Sequence, residues 1–576
     1  MEKELNREQA GPHLPAFDAV ILGGGVGGLT LALELRQELP DLQVAVVERN
    51  PHPVAETTHK VGESTVEIAA HYLRDRLQLG EHLERDQIRK FGLRMFFTGN
   101  NNSDISERVE LGSSIFAPLT SYQLDRGRLE NELGRRCQDA GVLFLAGHEV
   151  ESIKIGESEE THRVNISSPE GHLSLHANWL IDASGRTQLL RRHLELPKTR
   201  VGHHANAAWF RIAHPIDIDA WAKDHGWRQR ISEGERALST NHLMGPGYWV
   251  WLIRLSSGAT SVGIVADADH HDFNTFNTMD RALSFLGQHE PQCAQTVAAH
   301  LEDVKDFRVM RDYSYSCEKA FSGQQRWCMT GESAVFLDPL YSPGLDLIAI
   351  GNGLVVDLLR RCSGGEDVTG AAEVHDTLFR RLTNLWLATY ENQYGLMGNA
   401  QVMSAKVIWD TAFYWAVFGL LYFQDKFRHV GAMPSVAETL EELSATSNRM
   451  QQFFREWDCV DDAHLDAQFI DLLAPIEFML GLHTGMADEL TGQEFELRFR
   501  GNADFLAQLA GQLVSTVIRV CGEQGNDAAF EQVQAWHHDP AIGHFLNTYR
   551  RGRLTNPTTE QWINVGTPGA RCSSVP

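Results

Sequence analysis

The stretch that decides the fold is Asp18-Ala-Val-Ile-Leu22 followed by Gly23-Gly24-Gly25-Val26-Gly27-Gly28. A short apolar run ends in a glycine-rich turn, and Leu29–Leu39 then carries apolar residues at helical spacing. Gln43–Glu48 (QVAVVE) reads as a second strand, so the segment is one βαβ unit. Gly23, Gly25 and Gly28 form G-x-G-x-x-G between strand and helix. The first glycine suits a tight turn, the second lets the backbone approach a pyrophosphate, and the third allows close helix–strand packing. The helix N-terminus offers free N–H groups to phosphates. Glu48 ends the second strand, where a carboxylate can bond ribose hydroxyls and suits an adenosine ribose without a 2′-phosphate. Dinucleotide binding follows from this context. Gly351-Asn352-Gly353 lacks a preceding strand and reads as helix.

Working outward, Trp179–Gly185 reads as strand then turn, and Val142–Phe144 and Val164–Ser167 are alternating segments. From about 200 to 320 the pattern is β-rich, with Tyr248–Leu255 and Thr260–Val265 as strands. Beyond about 345 the chain turns helical, with amphipathic patterns over 372–430 and 464–550. The expected fold class is α/β: a Rossmann-type dinucleotide-binding domain with an inserted β-rich substrate domain and a helical C-terminal region. The expected organisation is a disordered leader over 1–16, a catalytic module over 17–370 and a helical region over 371–576.

At 576 residues and 43% apolar composition, the chain has ample material for a large core. Its net charge of −25 gives no general electrostatic reason to hold nucleic acid. Eight cysteines occur with no C-x-x-C pair, which fits thiols in a reducing cytoplasm. The N-terminal segment is polar, Cys572 does not stand in a prenylation box, and the longest apolar run is Ala412–Phe423, so no membrane span is expected. The pairs His203-His204, His270-His271 and His537-His538 point their members apart, and no metal site is expected.

Two later segments point from a generic dinucleotide toward FAD. Asp182-Ala183-Ser184-Gly185-Arg186 follows an apolar strand, and Gly331-Glu332-Ser333-Ala334 follows Trp327–Thr330. Both resemble flavin motifs of the FAD-dependent monooxygenase and halogenase superfamily, whose usual third motif, G-D-A, is here G-E-S. Lys60-Val61-Gly62-Glu63-Ser64-Thr65 is similar to a V-G-E-[AS]-T loop beside the flavin. Trp249-Val250-Trp251-Leu252-Ile253 is similar to W-x-W-x-I-P, with Arg254 in the proline position. Asp338-Pro339-Leu340-Tyr341-Ser342-Pro343-Gly344 is similar to the turn D-P-L/F-x-S-S/T-G. Together these resemble the flavin-dependent halogenases over about residues 17–360, and the helical remainder looks more like members acting on phenols or pyrroles.

The resemblance implies an enzyme that uses FADH2, O2 and chloride or bromide, with hypohalous acid passing through a tunnel to a lysine that either forms a haloamine or donates a hydrogen bond. The lysine implied is Lys90, 28 residues after Gly62 and ahead of an apolar strand at Leu93–Phe97. The implied FAD residues are Gly23, Gly25, Val26, Gly28, Glu48, Arg49, Val61, Gly62, Ser64, Arg126, Asp182, Gly331 and Glu332. Ser342 and Gly344 would border the halide. Absence of a second dinucleotide cradle implies a separate NAD(P)H-dependent flavin reductase as partner. The substrate would be a small or carrier-tethered electron-rich aromatic, phenolic or pyrrolic. Tyr341 stands where indole-acting members carry a glutamate, which argues against free tryptophan. Pro343 removes a backbone N–H from the halide turn, and Arg254 replaces a proline. These departures keep open a halogenase-like monooxygenase or dehydrogenase that uses no halide, and a flavin-binding accessory protein with no turnover of its own is a separate alternative. The twin tryptophans on one strand face read either as core or, as in the family, as a screen between flavin and substrate. The aromatic-rich Val402–Phe423, with Phe453, Phe454 and Trp457 nearby, reads as a buried helix or as a wall over the substrate.

Overall fold

The structure, a computed structural model, describes residues 16–56, 60–99, 101–157, 160–199, 201–462, 465–524 and 526–551. The expected leader, apart from Ala16, and Cys572 lie outside the described residues.

Strand Phe17–Leu22 is almost wholly buried, as a central parallel strand covered on both faces must be. It pairs in parallel with Val44–Glu48 on one side and Gly171–Asp182 on the other. Trp327–Met329 and Leu143–Ala146 extend this sheet in parallel, and Phe321–Ser322, His162–Ser168 and Glu149–Lys154 complete it in antiparallel fashion. Helix Val26–Glu38 is the crossover of the βαβ unit and packs on helices Arg126–Asp139 and Gly344–Ser363. The dinucleotide fold is therefore present as read, and Gly351-Asn352-Gly353 lies inside a helix.

The second sheet has eight strands. Its centre is Ala205–Ile212, Thr260–Asp267, Tyr248–Arg254 and Thr240–Gly245, joined antiparallel. It is not confined to 200–320: Leu93–Phe97, Glu110–Gly112 and Phe469–Asp471 add strands from far earlier and far later in the chain. The last of these falls where a helix is expected; the Glu110 N–H donates to the Gln468 carbonyl at 2.8 Å and the Leu472 N–H to the Gly112 carbonyl at 2.7 Å, so an open sheet edge captures the segment.

Helices Thr369–Ala388, Ala400–Phe413, Pro434–Asp458 and Gly492–Gln524 form the helical remainder. Among the described residues one helix, Gly492–Glu523, is long and apolar enough to cross a membrane by length and composition alone, and 56% of its most apolar window is buried within the protein, as in a core helix. The chain widens to a π-type turn over Tyr414–Gly419, a feature frequent at functional sites.

Candidate functional site

The turn after the first strand opens a cleft. Gly23 has φ +115° and packs so tightly that a Cβ there would meet the Ala183 carbonyl oxygen at 2.3 Å. Gly25 faces open space, with nothing within 4 Å of its Cβ position. The cleft encloses about 1570 Å³ and is lined by Gly23, Gly25, Glu48, Arg49, Ser184, Arg186 and Glu332 among others. Glu48 sits at its edge, its Oε2 accepting the Gly24 N–H at 2.7 Å and its Oε1 the Asn50 N–H at 2.8 Å.

Asp182 is a correction. It is fully buried, its Oδ1 accepts the Ser184 N–H at 2.8 Å and its Oδ2 the Leu190 N–H at 2.7 Å. Its carboxylate fixes the turn from behind, and Ala183–Thr187 form the cleft wall instead. Gly28 likewise lies behind the cleft, where a Cβ would meet the Gly23 carbonyl oxygen at 2.0 Å, so its part is packing.

Val26, Val61, Arg126, Gly331, Glu332 and Ile348 line both this cleft and a second chamber of about 990 Å³, so the two form one elongated site. Gly62, Ser64, His242, Trp249, Trp251, Ser342, Pro343 and Gly344 continue its wall. The Arg126 guanidinium donates to the Val61 carbonyl and to Glu130, while its Nε is buried without a partner. Burial raises the Glu332 carboxyl, against the pull of Arg186 and Arg126. Glu63, in the same loop, is clamped by Arg211 at 2.8 Å.

Residues 338–344 make the floor. Tyr341 and Ser342 are both left-handed, at φ 65° and 59°, a strained pair for non-glycine residues. The Ser342 N–H donates back to Pro339, and the first intrahelical bond beyond is Leu347 N–H to the Pro343 carbonyl. The Gly344 and Leu345 N–H groups thus have no acceptor within the helix, and its positive end faces this chamber. Asp338 holds the turn: its Oδ2 accepts from His203 Nε2 at 2.6 Å, Tyr394 at 2.6 Å and Tyr313 at 2.8 Å. Tyr394 in turn accepts the Trp249 Nε1–H at 2.9 Å. Trp249 and Trp251 lie on one strand face with ring centroids 5.7 Å apart. Arg254, past the end of that pair, approaches Glu235 at 3.8 Å.

A third chamber, about 1100 Å³, lies back to back with the second. Ser64, Ser342 and Leu345 line one, while Val66, Tyr341 and Asp346 line the other, so single residues form the partition. Lys90 is on the far side and is 3% exposed, not a solvated loop lysine. Its Nζ donates at 2.7 Å to the Thr65 carbonyl, within that partition. Burial lowers it from 10.5 to about 8, with Glu67 and Asp346 opposing. Burial likewise brings Asp346 up to about 8, although its Oδ2 accepts from Tyr414 at 2.7 Å and its Oδ1 the Ala69 N–H at 2.9 Å. His483 lies 3.3 Å from Glu67.

The helical remainder supplies much of this chamber's wall: Trp386, Phe413, Tyr414, Trp415 and Phe418, with Trp386 and Phe418 stacked at 4.0 Å. Phe453, Phe454 and Trp457 are core residues away from it. Glu67, Asp346, Asp410, His242 and Tyr394 were not singled out from sequence, since none sits in a local motif that names it, and His203 was weighed only as half of a poor metal pair.

Residues 21–85 match the NAD(P)-binding Rossmann-like domain family. The chain is 24% identical over 432 residues to the flavin-dependent halogenase chlA of Dictyostelium discoideum, covering 70% of each. It is 23% identical over 350 residues to the 1H-pyrrole-2-carbonyl-[peptidyl-carrier protein] chlorinase of Pseudomonas fluorescens, covering 58% of this chain and 73% of that one. The solved structure of halogenase PltM in complex with phloroglucinol and FAD matches at a TM-score of 0.57 and 15% identity, covering 94% of this chain and 99% of that one. The likeness in fold thus extends into the helical remainder.

Proposed function

We propose that this homologue of the flavin-dependent halogenases is itself an FAD-dependent halogenase, using FADH2, O2 and chloride or bromide on an electron-rich phenolic or pyrrolic substrate, free or carrier-tethered. The observation that carries the reading is the pair of chambers with a one-residue partition and a buried lysine on the far side.

The residues fit FAD. The opening at Gly25, the orphaned Arg126 Nε and the free N–H groups of helix Val26–Glu38 suit an anionic, elongated ligand. Gly23, Gly25, Glu48 and Arg49 would hold the ADP half. Val26, Val61, Gly62, Ser64, Arg126, Gly331 and Glu332 would hold the flavin half, with Gly28 supporting the turn. When bound, reduced flavin supplies the electrons that activate O2 for halide oxidation. The chain's part is to bind halide, keep substrate out of the flavin chamber and carry the oxidised halogen across.

Halide would lie at the Ser342 hydroxyl and the Gly344 N–H; Pro343 removes one donor, but the helix end keeps two. Trp249 and Trp251 would screen the flavin chamber. Lys90 would meet hypohalous acid at the partition. As an ammonium it donates a hydrogen bond that sharpens the halogen's electrophilicity; as an amine it forms an N–halogen bond and releases water. The substrate carbon then takes the halogen and loses its proton.

FADH2 would come from a separate NAD(P)H-dependent flavin reductase. A cytoplasmic location suits the seven described cysteines, all free thiols. The test is mass spectrometry after incubation with FADH2, O2, bromide and a phenol panel. The expected result is a bromine isotope doublet that disappears in Lys90→Ala. A bromide-independent mass gain would instead identify an oxygenase, and bound flavin with no product an accessory protein.

A further inference from the structure

The substrate-side chamber has a second polar pole that halogen transfer leaves without a task. On helix Ala400–Phe413, buried continuously from Gln401 to Asp410, Lys406 and Asp410 form an ion pair at 2.7 Å. Gln451 completes a ring: its Nε2 donates to Asp410 Oδ1 at 2.7 Å and its Oε1 accepts from Lys406 Nζ at 2.6 Å. Of the three, only Asp410 lines the chamber.

A buried pair of this kind is weak evidence of a stabilising role. Desolvation costs several kcal/mol per buried ion, and apolar side chains of similar volume serve as well or better. Asp410 also retains unused acceptor capacity. Each oxygen takes one hydrogen bond within the protein and can take another, and the residue keeps 8% exposure at the wall. Beside it the buried Tyr341 hydroxyl makes no close hydrogen bond but lies near enough to Asp410 for the carboxylate's charge and a longer hydrogen bond to act on it, so a substrate hydroxyl would compete with Tyr341 for this acceptor. The remaining wall is largely apolar, with Leu385, Trp386, Val407, Phe413 and Phe418. The charges acting on Lys90 are Glu67 and Asp346, and no hydrogen bond or ion pair joins that cluster to Asp410. The chamber therefore has a cationic pole where halogen would arrive and a separate acceptor pole on a C-terminal helix.

Resting on the halogenase reading, we propose that Asp410 is the specificity-determining acceptor for the substrate's phenolic hydroxyl. It takes a hydrogen bond from a neutral O–H and fixes the ring between itself and Lys90. Polarising that O–H also pushes electron density toward the ortho and para carbons, which are the ones that meet the halogen. Lys406 and Gln451 hold the carboxylate in orientation. The same pole disfavours aromatic carboxylates, because a substrate carboxylate placed there would meet the Asp410 carboxylate as a like charge.

The test compares binding of 3,5-dimethoxyphenol, 1,3,5-trimethoxybenzene and 3,5-dimethoxybenzoate to the FAD-loaded full-length protein by calorimetry. The first two are electron-rich and differ in the single donor. Wild type should bind the phenol at least about tenfold more tightly than the ether and should bind the benzoate least; a site that hydrogen-bonds a hydroxyl discriminates by that much or more. In the double variant Lys406→Met/Asp410→Leu, which replaces the buried pair by apolar side chains of similar size, the phenol-to-ether ratio should fall below about threefold. Lys406→Met/Asp410→Ala, which likewise leaves no acceptor at position 410, serves the same comparison if the first double variant fails to retain flavin. A ratio that persists in the variant tested, a wild type with no ratio, or a preference for the benzoate overturns the proposal. Bromination is measured in parallel. A wild type with the tenfold preference but no bromination sinks the halogenase reading and leaves the anchor. Bromination of phenol and ether with equal affinity does the reverse.

Discussion

Moving the pH across the titration of Lys90 separates the two ways in which its amine can act. Burial brings it from 10.5 to about 8. That interval corresponds to about 3 kcal/mol, and it raises the neutral fraction at pH 7.5 from roughly 0.1% to roughly 25%. If the amine takes the halogen covalently, the rate of bromination rises with pH and levels off above about 8. If the ammonium donates a hydrogen bond, the rate is level below about 8 and falls above it. Either way the bend belongs near 8, and Lys90→Arg, charged throughout, has none. The assay is single-turnover bromination of 3,5-dimethoxyphenol between about pH 6 and about pH 9.5, with flavin oxidation followed separately so that its own pH dependence is divided out. Because Asp346 titrates in the same window, the series is repeated in Asp346→Asn, where the bend should survive. No bend in that range, or a bend retained in Lys90→Arg, would refute the reasoning.

Asp346→Asn tests the buried carboxyl directly. Its folded-state value lies above its ordinary 3.8, so wild-type stability falls as pH rises from about 4 to about 8. The variant's Tm advantage should therefore grow from nil near the low end to its maximum at the high end, and a pH-independent gap counts against the assignment. Gly25→Ala should fold with an unchanged Tm, since φ is −78° and nothing lies within 4 Å, yet bind FAD at least about tenfold more weakly because the methyl occupies the pyrophosphate approach. Gly28→Ala should instead lose about 1–3 kcal/mol of stability, its Cβ falling 2.0 Å from the Gly23 carbonyl oxygen; equal behaviour of the two variants would contradict the division of labour. Tyr394→Phe removes the Trp249 acceptor and one of three donors to Asp338 Oδ2. It should cost about 1–3 kcal/mol and raise the KM for bromide; an unchanged KM would mean that the network serves packing alone.

The nucleotide half was legible because its physics is local: a strand, three glycines and a helix within the twenty-two residues Phe17–Glu38 leave few other conformations. Lys90 was reached through the family resemblance, by its order after Gly62 and the strand that follows it, and the structure places it in the wall of the third chamber. Asp182 was misread because a carboxylate at a strand end can turn either toward the ligand or back onto its own turn, and only the Ser184 and Leu190 N–H groups decide that. Asp410 was not legible as part of a site, and the aromatic run Val402–Phe423 was readable only as either a buried helix or a wall over the substrate. Their partners across the chamber, Lys90 and Tyr341, lie hundreds or tens of residues away, and a buried amphipathic helix carries no mark of which side faces a cavity. The strand at Phe469–Asp471 was lost for a related reason, since a three-residue strand is made by the edge it joins and not by its own propensity.

The partition has a consequence for how such a catalyst can change over generations. Ser342 and Tyr341 are consecutive, as are Leu345 and Asp346, yet each pair is divided between two rooms. Adding or deleting one residue there would displace the boundary side chains, Tyr341 against Ser342 and Leu345 against Asp346, relative to the partition. Drift in what the protein accepts as substrate must then proceed by exchange of side chains at fixed length, and each exchange tugs on a peptide unit shared with the anion's berth. On the proposed reading, choice of substrate and handling of halide are inherited together.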